Sequence, residues 1–370
     1  MKSMRVARMH KIGAPLQIDT LPVPEPGPTD VLVQVKACNL VPNLKNVLTH
    51  WPQWHPEMPL PELPASFGLD AAGIVEAVGN QVLSIRPGDR VYVIAGMGCG
   101  SCRSCRCGDM ISCRSFTYRG YFGRGPLARK LFTHYPYGGL SEYLTAPQAL
   151  LVKLPERVSF EDASRFGYLG TSYSALRKAG VGPARTVLVN AIGGTLGLGA
   201  AMLALAMGAT KILGTGRRQA LLDRVKALAP DRIEVMSVLD TKQSIKDWAL
   251  GLTEGEGVDA VIDALPPQSP PTATMEGLRA LRVGGSAVLP GGMTDALTLD
   301  PYWLTDTNAR LMGSRWFATT EGEDMAQMIA AGTLDLSALE HRRYPLDKVN
   351  DAVAALGDGN AGFSNFVVLP

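Results

Sequence analysis

A glycine-rich turn between an apolar strand and an apolar helix constrains this chain more than any other feature. Residues 186–190 are apolar and rich in β-branched side chains, which predicts a strand. Residues 196–207 are apolar and rich in glycine and alanine, which predicts a helix. The turn between them has the pattern A-x-x-G-x-x-G, and a second strand follows. Strand, tight turn, helix and strand in this order are typical of a dinucleotide-binding unit.

The turn glycines give the physical reason for this prediction. Because Gly193 and Gly194 have no side chains, backbone N–H groups at the helix start are free to approach a pyrophosphate. Gly197 lets the helix pack close to its strand. We therefore expect the dinucleotide to contact the turn and the first helical residues, which are Gly193, Gly194, Thr195, Leu196 and Gly197.

The end of the second strand predicts which dinucleotide binds. A carboxylate about 20 residues beyond the turn binds the ribose 2′-hydroxyl of NAD(H). This chain instead has Thr215, Gly216, Arg217 and Arg218 at that position. Two guanidinium groups suit a 2′-phosphate, so the sequence favours NADP(H). The alternative is that both arginines belong to a solvated helix start.

Length and charge narrow the class of partner. A chain of 370 residues is long enough for two domains, and its 36 Lys and Arg residues nearly balance 34 Asp and Glu residues. This balance gives no electrostatic attraction to nucleic acid or membranes, so we expect a small-molecule partner. The sequence has no apolar run of signal-peptide or membrane-spanning length, which predicts a soluble cytoplasmic protein.

Five of the six cysteines lie within residues 99–113. Four of them have the spacing C-x2-C-x2-C-x7-C, which suits one tetrahedral zinc ion. Four thiolates leave no open coordination position, so this zinc ion is expected to be structural. A redox thiol cluster or an iron–sulfur site are the alternatives, and Cys107 is expected to be a spare thiol. The expected zinc ligands are Cys99, Cys102, Cys105 and Cys113.

The order of the other elements predicts the fold class, which is α/β. Short strands precede residue 155, interrupted by a proline-rich segment, 38–64, that we interpret as an irregular loop. Residues 160–179 read as a helix that carries Thr171 towards the glycine-rich turn. Strands and helices alternate after the turn, which is typical of a doubly wound parallel sheet.

With these elements in this order, the sequence resembles the zinc-type medium-chain dehydrogenase/reductase superfamily, which includes alcohol dehydrogenases and quinone oxidoreductases. Beyond the four cysteines, the family element G-[HL]-[ED]-x-x-G-x-V matches Gly68, Asp70, Gly73 and Val75. The resemblance implies a chaperonin-10-like β-rich catalytic domain with an inserted Rossmann domain, a substrate cleft between them and a homodimer. We expect the catalytic domain over 1–155 and 310–370, and the NADP-binding domain over 156–309.

The chain departs from the family at the catalytic zinc. Val41 stands at the position of the first cysteine ligand, Leu69 replaces the histidine, and Gly167 or Tyr168 falls at the third ligand. These side chains are not zinc ligands, so we expect no catalytic zinc. The alternative is a displaced site formed by Asp70 with Cys38, His50 or His55.

Without that zinc, acceptors that delocalise negative charge are the easier substrates. The resemblance to zinc-free family members implies NADPH-dependent reduction of an enone, a quinone or another activated carbonyl. One alternative is an alcohol or aldehyde dehydrogenase, and another is a nucleotide-binding relative without turnover. The candidate catalytic residues are Asn43, Asp70, Tyr168 and Tyr173.

Each of these residues also has a structural interpretation. The structural interpretation of each tyrosine is a core ring whose hydroxyl bonds the backbone. That of Asp70 is a partner for a nearby arginine. The resemblance further implies cofactor contacts from Pro290, at a strand end facing the nicotinamide, and from Asn365 near the phosphates. Residues 49–55 hold two indoles and two imidazoles, which predicts either an aromatic substrate wall or surface packing.

Overall fold

The computed structural model describes residues 2–239, 243–357 and 361–370. It combines mixed, mainly antiparallel sheets with one parallel sheet, and the predicted α/β class is confirmed. Within the described residues, the helices are too short or too polar to cross a bilayer.

The strands of the first part of the chain are β1 (Ser3–Met9), β2 (Gln17–Pro22), β3 (Asp30–Asn39), β4 (Ala65–Ser66), β5 (Asp70–Val78), β6 (Arg90–Val93), β7 (Gly96–Met97), β8 (Thr117–Tyr118), β9 (Tyr143–Pro147) and β10 (Leu151–Lys153). The later strands are β11 (Thr186–Asn190), β12 (Lys211–Gly216), β13 (Ile233–Ser237), β14 (Val258–Asp263), β15 (Leu281–Leu289), β16 (Arg310–Gly313), β17 (Glu340–Pro345) and β18 (Ser364–Leu369).

The helices are α1 (Leu44–Thr49), α2 (Trp51–Trp54), α3 (Arg103–Arg106), α4 (Ala128–His134), α5 (Phe160–Ala163), α6 (Phe166–Lys178), α7 (Thr195–Ala206), α8 (Gln219–Lys226), α9 (Ile245–Leu252), α10 (Pro271–Leu278), α11 (Pro301–Asp306), α12 (Thr319–Ala331) and α13 (Val349–Ala354). Single 3₁₀ turns lie at Met110–Ser112, Gln148–Leu150, Leu346–Lys348, Ala355–Gly357 and Ala361–Phe363.

The parallel sheet is doubly wound, as the sequence predicted. Its strand order is β13-β12-β11-β14-β15-β16, and each pair is parallel. The order reverses between β12 and β14 around the central strand β11. Because ligands bind outside the carboxyl ends of strands at such a reversal, the turn after β11 lies at the expected binding edge.

The β-rich part contains two larger sheets. One has the order β2-β1-β4, and the other has the order β10-β6-β5-β3-β18-β17 with β9 also paired to β3. The last strand, β18, pairs antiparallel with β3 through Val367 opposite Asn39. The C-terminal segment therefore completes a sheet that begins near the N-terminus, as the resemblance implied.

Two details differ from the sequence-based expectations. The segment 38–64 is not wholly irregular, because α1 and α2 lie within it. The strand β16 starts at Arg310, yet it pairs with β15 in the parallel sheet. We therefore propose that the nucleotide domain extends through Gly313 and that the return to the catalytic domain follows it.

Candidate functional site

The turn after β11 has the backbone shape that the glycine pattern predicted. Ala191, which replaces the usual first glycine, has a left-handed φ of +56°. A Cβ atom on Gly197 would lie 2.2 Å from the Ala191 carbonyl oxygen, so only glycine fits there. Gly193 and Gly194 are partly exposed at the start of α7, where backbone N–H groups favour an anion. This geometry fits the pyrophosphate of a dinucleotide.

The C-terminal segment meets the turn through its backbone. The Gly362 N–H donates to the Gly193 carbonyl at 3.0 Å. A Cβ atom on Gly362 would lie 2.5 Å from the Gly194 carbonyl oxygen, so this contact also requires glycine. The contact joins the catalytic domain directly to the nucleotide turn.

Asn365 does not supply the phosphate contact that the resemblance implied. It is fully buried, and its Nδ2 donates to the Glu161 carbonyl at 3.1 Å and lies 2.9 Å from His341 Nδ1. Its Oδ1 accepts a hydrogen bond from Asn39. The side chain is therefore occupied inside the sheet formed by β3, β18 and β17, because β18 is an internal strand there.

The ends of the central strands carry a buried polar network. Thr215 Oγ1 donates to Asn190 Oδ1 at 3.0 Å, and Asn190 Nδ2 donates to Asp263 Oδ1 at 3.1 Å. Thr274 donates to the other Asp263 oxygen at 2.6 Å, and burial raises the pKa of Asp263. Sequence reasoning missed Asn190 and Asp263, although polar residues at the carboxyl ends of β11 and β14 are a usable signal.

Arg217 and Arg218 lie at the end of β12, where the sequence placed them. Both are exposed, and neither forms an ion pair within the described residues. Gly216 is partly exposed, whereas the Thr215 hydroxyl is committed to Asn190. The two guanidinium groups are thus available to an anion at this edge of the sheet.

Two other residues expected to contact the cofactor are Thr171 and Pro290. The Thr171 hydroxyl donates to the Gly167 carbonyl one turn earlier in α6, at 2.8 Å, so its proton is used within the helix. Its neighbour Ser172 contacts the start of α7, because its Oγ donates to the Leu196 carbonyl at 2.8 Å. Pro290 follows β15 directly, beside Gly291, whose N–H donates to the Asp263 carbonyl at 3.2 Å.

A fully buried carboxyl group, that of Asp70, lies at the start of β5. The Tyr92 hydroxyl donates to Asp70 Oδ1 at 2.6 Å, and Asp70 Oδ2 has no hydrogen-bond partner in the described part of the chain. Burial raises the pKa of Asp70 to about 7, against the opposing effects of the Tyr92 hydrogen bond and the Arg165 charge. A Cβ atom on Gly167 would lie 2.2 Å from Asp70, so glycine makes room for the carboxyl.

Arg165 is the cation next to this carboxyl group. It is buried, and its Nη2 donates to the Gly362 carbonyl at 2.9 Å. Burial lowers the pKa of Arg165 to about 10, which still leaves it charged at neutral pH. Its Cζ lies 5.8 Å from the ring centroid of Tyr168. Sequence reasoning missed Arg165, Tyr92 and Tyr121, because their roles depend on tertiary contacts.

Tyr168 and Asn43 border the same region. Tyr168 is partly exposed, and the charges of Arg165 and Asp70 act on its hydroxyl, whose pKa burial raises to about 12. The Asn43 side chain hydrogen-bonds the Tyr121 hydroxyl and accepts from Asn46 Nδ2 at 2.9 Å. The structure thus brings Asp70, Tyr168 and Asn43 into one neighbourhood.

Tyr173 lies apart from that neighbourhood. Its hydroxyl donates to Asp324 Oδ2 on α12 at 3.1 Å, and Arg177 lies over its ring. Tyr173 lies five positions after Tyr168 on α6, and at 3.6 residues per turn this spacing puts the two side chains on different faces. The sequence predicted both residues as catalytic candidates because it does not determine which face of the helix packs towards the site.

The family's catalytic-zinc positions are apolar in the structure. Val41 and Leu69 are buried, and Gly167 packs on Asp70. Of the displaced candidates, Cys38 is fully buried, whereas His50 stacks on the exposed Trp54. In the described ranges, no cluster of three or more potential metal ligands includes Cys38, His50 or His55.

The aromatic segment, residues 49–55, supports each of its two interpretations with one indole. Trp51 is buried and stacks on Phe122 at 4.1 Å, which is packing. Trp54 is 51% exposed, so it is available to a ligand or to solvent.

We call residues 96–125 the zinc lobe. Four of its cysteines lie close together, as predicted. The sulfur atoms of Cys99, Cys102, Cys105 and Cys113 lie within 4.8 Å of one another. Sulfur atoms around tetrahedral zinc are about 3.8 Å apart, given a Zn–S bond of about 2.3 Å, so the group fits one ion. Backbone N–H groups lower the pKa of Cys99 to about 6, whereas burial raises the pKa of Cys105 to about 12. Burial therefore disfavours the Cys105 thiolate, and a bound cation offsets that free-energy cost. Cys107 is exposed and outside the group.

Comparison with known proteins agrees with this geometry. Residues 27–156 match the alcohol dehydrogenase GroES-like domain, and residues 195–331 match the zinc-binding dehydrogenase domain. Together with the nucleotide turn, these matches define a two-domain, nucleotide-dependent oxidoreductase. The chain belongs to the zinc-type medium-chain dehydrogenase/reductase superfamily, as its motifs predicted.

Relatives within this family differ in their activities. The chain is 30% identical over 264 residues to an NAD-dependent alcohol dehydrogenase of Sulfurisphaera tokodaii, covering 70% of this chain and 71% of the relative. It is 28% identical to a quinone oxidoreductase-like protein 2 homolog of Nematostella vectensis, over 71% of this chain and 60% of that relative. The crystal structure of a protein described as a zinc-binding dehydrogenase from Sinorhizobium meliloti, bound to NADP, has the same fold, with a TM-score of 0.81, 22% identity and full coverage of both chains.

We predict that metal analysis of the purified protein finds one zinc per chain. Cys105→Ser should lose that zinc and lower the melting temperature, because three thiolates bind the ion more weakly. Cys107→Ser is the matched control and should keep one zinc per chain. Equal zinc loss in both variants would contradict the assigned ligand set.

We predict that Asp70→Asn changes how stability depends on pH. Because burial raises the folded-state pKa of Asp70 to about 7 from 3.8, the unfolded chain releases this proton at lower pH than the folded chain. The wild type therefore loses stability relative to the variant as pH rises from about 4 to about 7.

Melting temperatures at pH 5 and pH 8 check this prediction. The difference between Asp70→Asn and wild type should shift in favour of the variant at pH 8. Asp295→Asn, at an exposed position, should show no such shift. A difference for Asp70→Asn that is the same at both pH values would refute the raised pKa.

Proposed function

We propose that this oxidoreductase uses NADPH to reduce an activated carbonyl compound, such as an enone or a quinone, without a catalytic zinc. The observation that carries the proposal is the replacement of the family's zinc ligands by Val41, Leu69 and Gly167 around the buried, protonatable Asp70. A site of this composition offers hydrogen bonds and a guanidinium charge to the substrate oxygen.

The residues around Asp70 suit this chemistry. NADPH bound at the glycine-rich turn supplies the hydride. Tyr168 and Asn43 orient the acceptor oxygen, and their hydrogen bonds stabilise the negative charge that develops there. Arg165 adds a fixed positive charge beside Tyr168. Tyr168 donates the proton that completes the reduction and regains one from solvent.

Asp70 acts in this proposal by keeping its proton. An ionised carboxylate next to the acceptor would repel the negative charge that develops on the oxygen. Because its pKa is about 7, Asp70 is half protonated at pH 7 and largely neutral below it, where it does not oppose the reaction. Tyr92 holds its orientation through the 2.6 Å hydrogen bond.

The preference for NADPH rests on Arg217 and Arg218. No carboxylate ends β12, and both guanidinium groups are exposed and without ion pairs in the described residues. The NAD-dependent name of the Sulfurisphaera relative supports the competing proposal, alcohol oxidation with NAD. A nucleotide-binding protein without turnover is the third possibility, and acceptor-dependent NADPH consumption distinguishes it.

We also propose a homodimer. The strand β16 lies at one end of the parallel sheet, next to β15. Its outer edge is available for pairing with the same strand of a second copy.

We predict that replacing both Arg217 and Arg218 by alanine raises the Kd of NADPH at least about tenfold and that of NADH less than about twofold. The reason is that only NADPH has a 2′-phosphate. Arg279→Ala, an exposed arginine at the end of α10, is the control and should change neither Kd. Fluorescence titration with both nucleotides measures the effect, and equal weakening of the two would refute the assignment.

We predict NADPH oxidation in stopped-flow assays with enones or quinones, and little with simple aldehydes. Tyr168→Phe should lower kcat by about 10- to 100-fold, because a hydrogen bond to the reacting oxygen is lost. Tyr173→Phe is the matched control and should retain wild-type kcat, since its hydroxyl bonds Asp324. Absence of turnover with every acceptor would favour the nucleotide-binding alternative.

A further inference from the structure

The C-terminal segment, residues 362–364, contacts the nucleotide turn through its backbone and not through a charged side chain. The resemblance implied a phosphate contact from Asn365, but that side chain is buried and hydrogen-bonded within the β-rich part. Gly362 reaches the turn instead, because its N–H donates to the Gly193 carbonyl at 3.0 Å. The geometry of the turn therefore depends on what holds Gly362 in place.

The contact fixes one peptide group of the turn. The carbonyl of the peptide between Gly193 and Gly194 accepts from Gly362, and the N–H of the same peptide donates to the Ala191 carbonyl at 2.9 Å. Both sides of this peptide are hydrogen-bonded, so it cannot rotate without losing a bond. It directly precedes α7, whose first N–H groups favour an anion. Holding this peptide therefore holds the start of the pyrophosphate site.

A buried guanidinium group holds the other side of Gly362. Arg165 is 3% exposed, and its Nη2 donates to the Gly362 carbonyl at 2.9 Å. Its Nη1 donates to the Ser364 carbonyl at 3.5 Å. A planar guanidinium presents two donors in fixed directions, so it suits two carbonyl groups of one segment, whereas a lysine ammonium has no such fork.

The charge of Arg165 strengthens this attachment. Burial lowers the pKa of Arg165 only to about 10, so the group stays charged at neutral pH. A charged donor forms a hydrogen bond roughly twice as strong as a neutral one. The free-energy cost of burying the guanidinium is thus offset at the carbonyls of the C-terminal segment.

Packing around the segment leaves little room for it to move. A Cβ atom on Gly362 would lie 2.5 Å from the Gly194 carbonyl oxygen and 2.8 Å from Leu198 Cβ on α7. The next side chain, Phe363, is buried, and the Cζ of Arg224 on α8 lies 4.0 Å from its ring centroid. A displacement of the segment would therefore be felt directly at the turn and at α7.

We propose that Arg165 is a positioning residue for the dinucleotide, because it holds the segment whose Gly362 N–H fixes the turn peptide next to the pyrophosphate site. The segment leads into β18, so the cofactor site is completed from the β-rich part of the chain. This role requires only dinucleotide binding at the turn. It is therefore independent of the acceptor and of the 2′-phosphate contact.

Calorimetric titration of the zinc-loaded protein with NADPH, NADH and adenosine 5′-diphosphate tests this role without turnover. Arg165→Lys keeps the charge and loses the fork, so it should raise all three Kd values by a similar factor, about five- to tenfold, because the three ligands share the same diphosphate. Replacement of Arg217 and Arg218, in contrast, is expected to affect mainly NADPH. An unchanged Kd of adenosine 5′-diphosphate in Arg165→Lys would overturn the proposal.

Arg157→Lys is the matched control. Arg157 also donates to a main-chain carbonyl, that of Ala330, at 2.7 Å, but it is exposed. The same substitution there should leave all three Kd values unchanged. Equal weakening in both variants would mean that the loss of any arginine fork lowers affinity, and it would overturn the specific role of Arg165.

A double-mutant cycle tests whether Arg165 acts through Gly362. Gly362→Ala should itself raise the Kd of adenosine 5′-diphosphate, because the added Cβ has no room beside the turn. Once the segment is displaced, the identity of residue 165 should matter little, so the double variant should bind within about twofold of the weaker single variant. An effect equal to the product of the two single effects would show independent action and overturn the proposal.

Hydrogen exchange of the wild type gives a readout that needs no variant. Binding of adenosine 5′-diphosphate should slow amide exchange in residues 362–366, because an ordered turn holds the Gly362 N–H more firmly. Residues 3–9, which form β1 in another sheet, are the reference and should not change. If the melting curve of Arg165→Lys shows no folded protein, this measurement decides, and unchanged exchange in residues 362–366 would overturn the proposal.

Discussion

The buried Asp70 carboxyl and its hydrogen bond from Tyr92 organise the proposed reaction site of this protein. Asp70 begins β5, Tyr92 on β6 holds it, and Gly167 of α6 makes room for it. Arg165, just before α6, offsets part of the cost of burial and donates to the carbonyl of Gly362, which itself contacts the nucleotide turn. One buried cation therefore links the surroundings of Asp70 to the glycine-rich turn. Because burying a guanidinium group costs free energy, we interpret the buried position of Arg165 as functional.

Local patterns explain which parts of the site could be predicted from the sequence. The turn glycines and the four cysteines depend on spacing over fewer than 20 residues, where backbone geometry alone limits the possibilities. The turn has the predicted form down to Gly197, and the four thiols converge. The order of alternating elements likewise sufficed for the parallel sheet, because right-handed βαβ connections leave few topologies.

Side-chain direction could not be predicted in the same way. The Asn365 side chain is buried and hydrogen-bonds the Glu161 carbonyl, and the Tyr173 hydroxyl hydrogen-bonds Asp324 on α12. Both directions depend on strand pairing and helix rotation, which are set by contacts between residues distant in sequence. The network from Thr215 through Asn190 to Asp263 joins three strands far apart along the chain, so no local pattern contains it. Arg165 was missed for a related reason, since a lone arginine at a helix start resembles a solvated one.

The central claim is that burial and an adjacent guanidinium replace a metal ion as the electrostatic environment of the acceptor, with Asp70 titrating near pH 7. Carbon-13 NMR of protein labelled at aspartate carboxyl carbons tests it most directly, with Asp70→Asn identifying the resonance. The account predicts a titration midpoint near pH 7 for Asp70. A midpoint near pH 4, the ordinary value for an exposed aspartate at about 3.9, would contradict it.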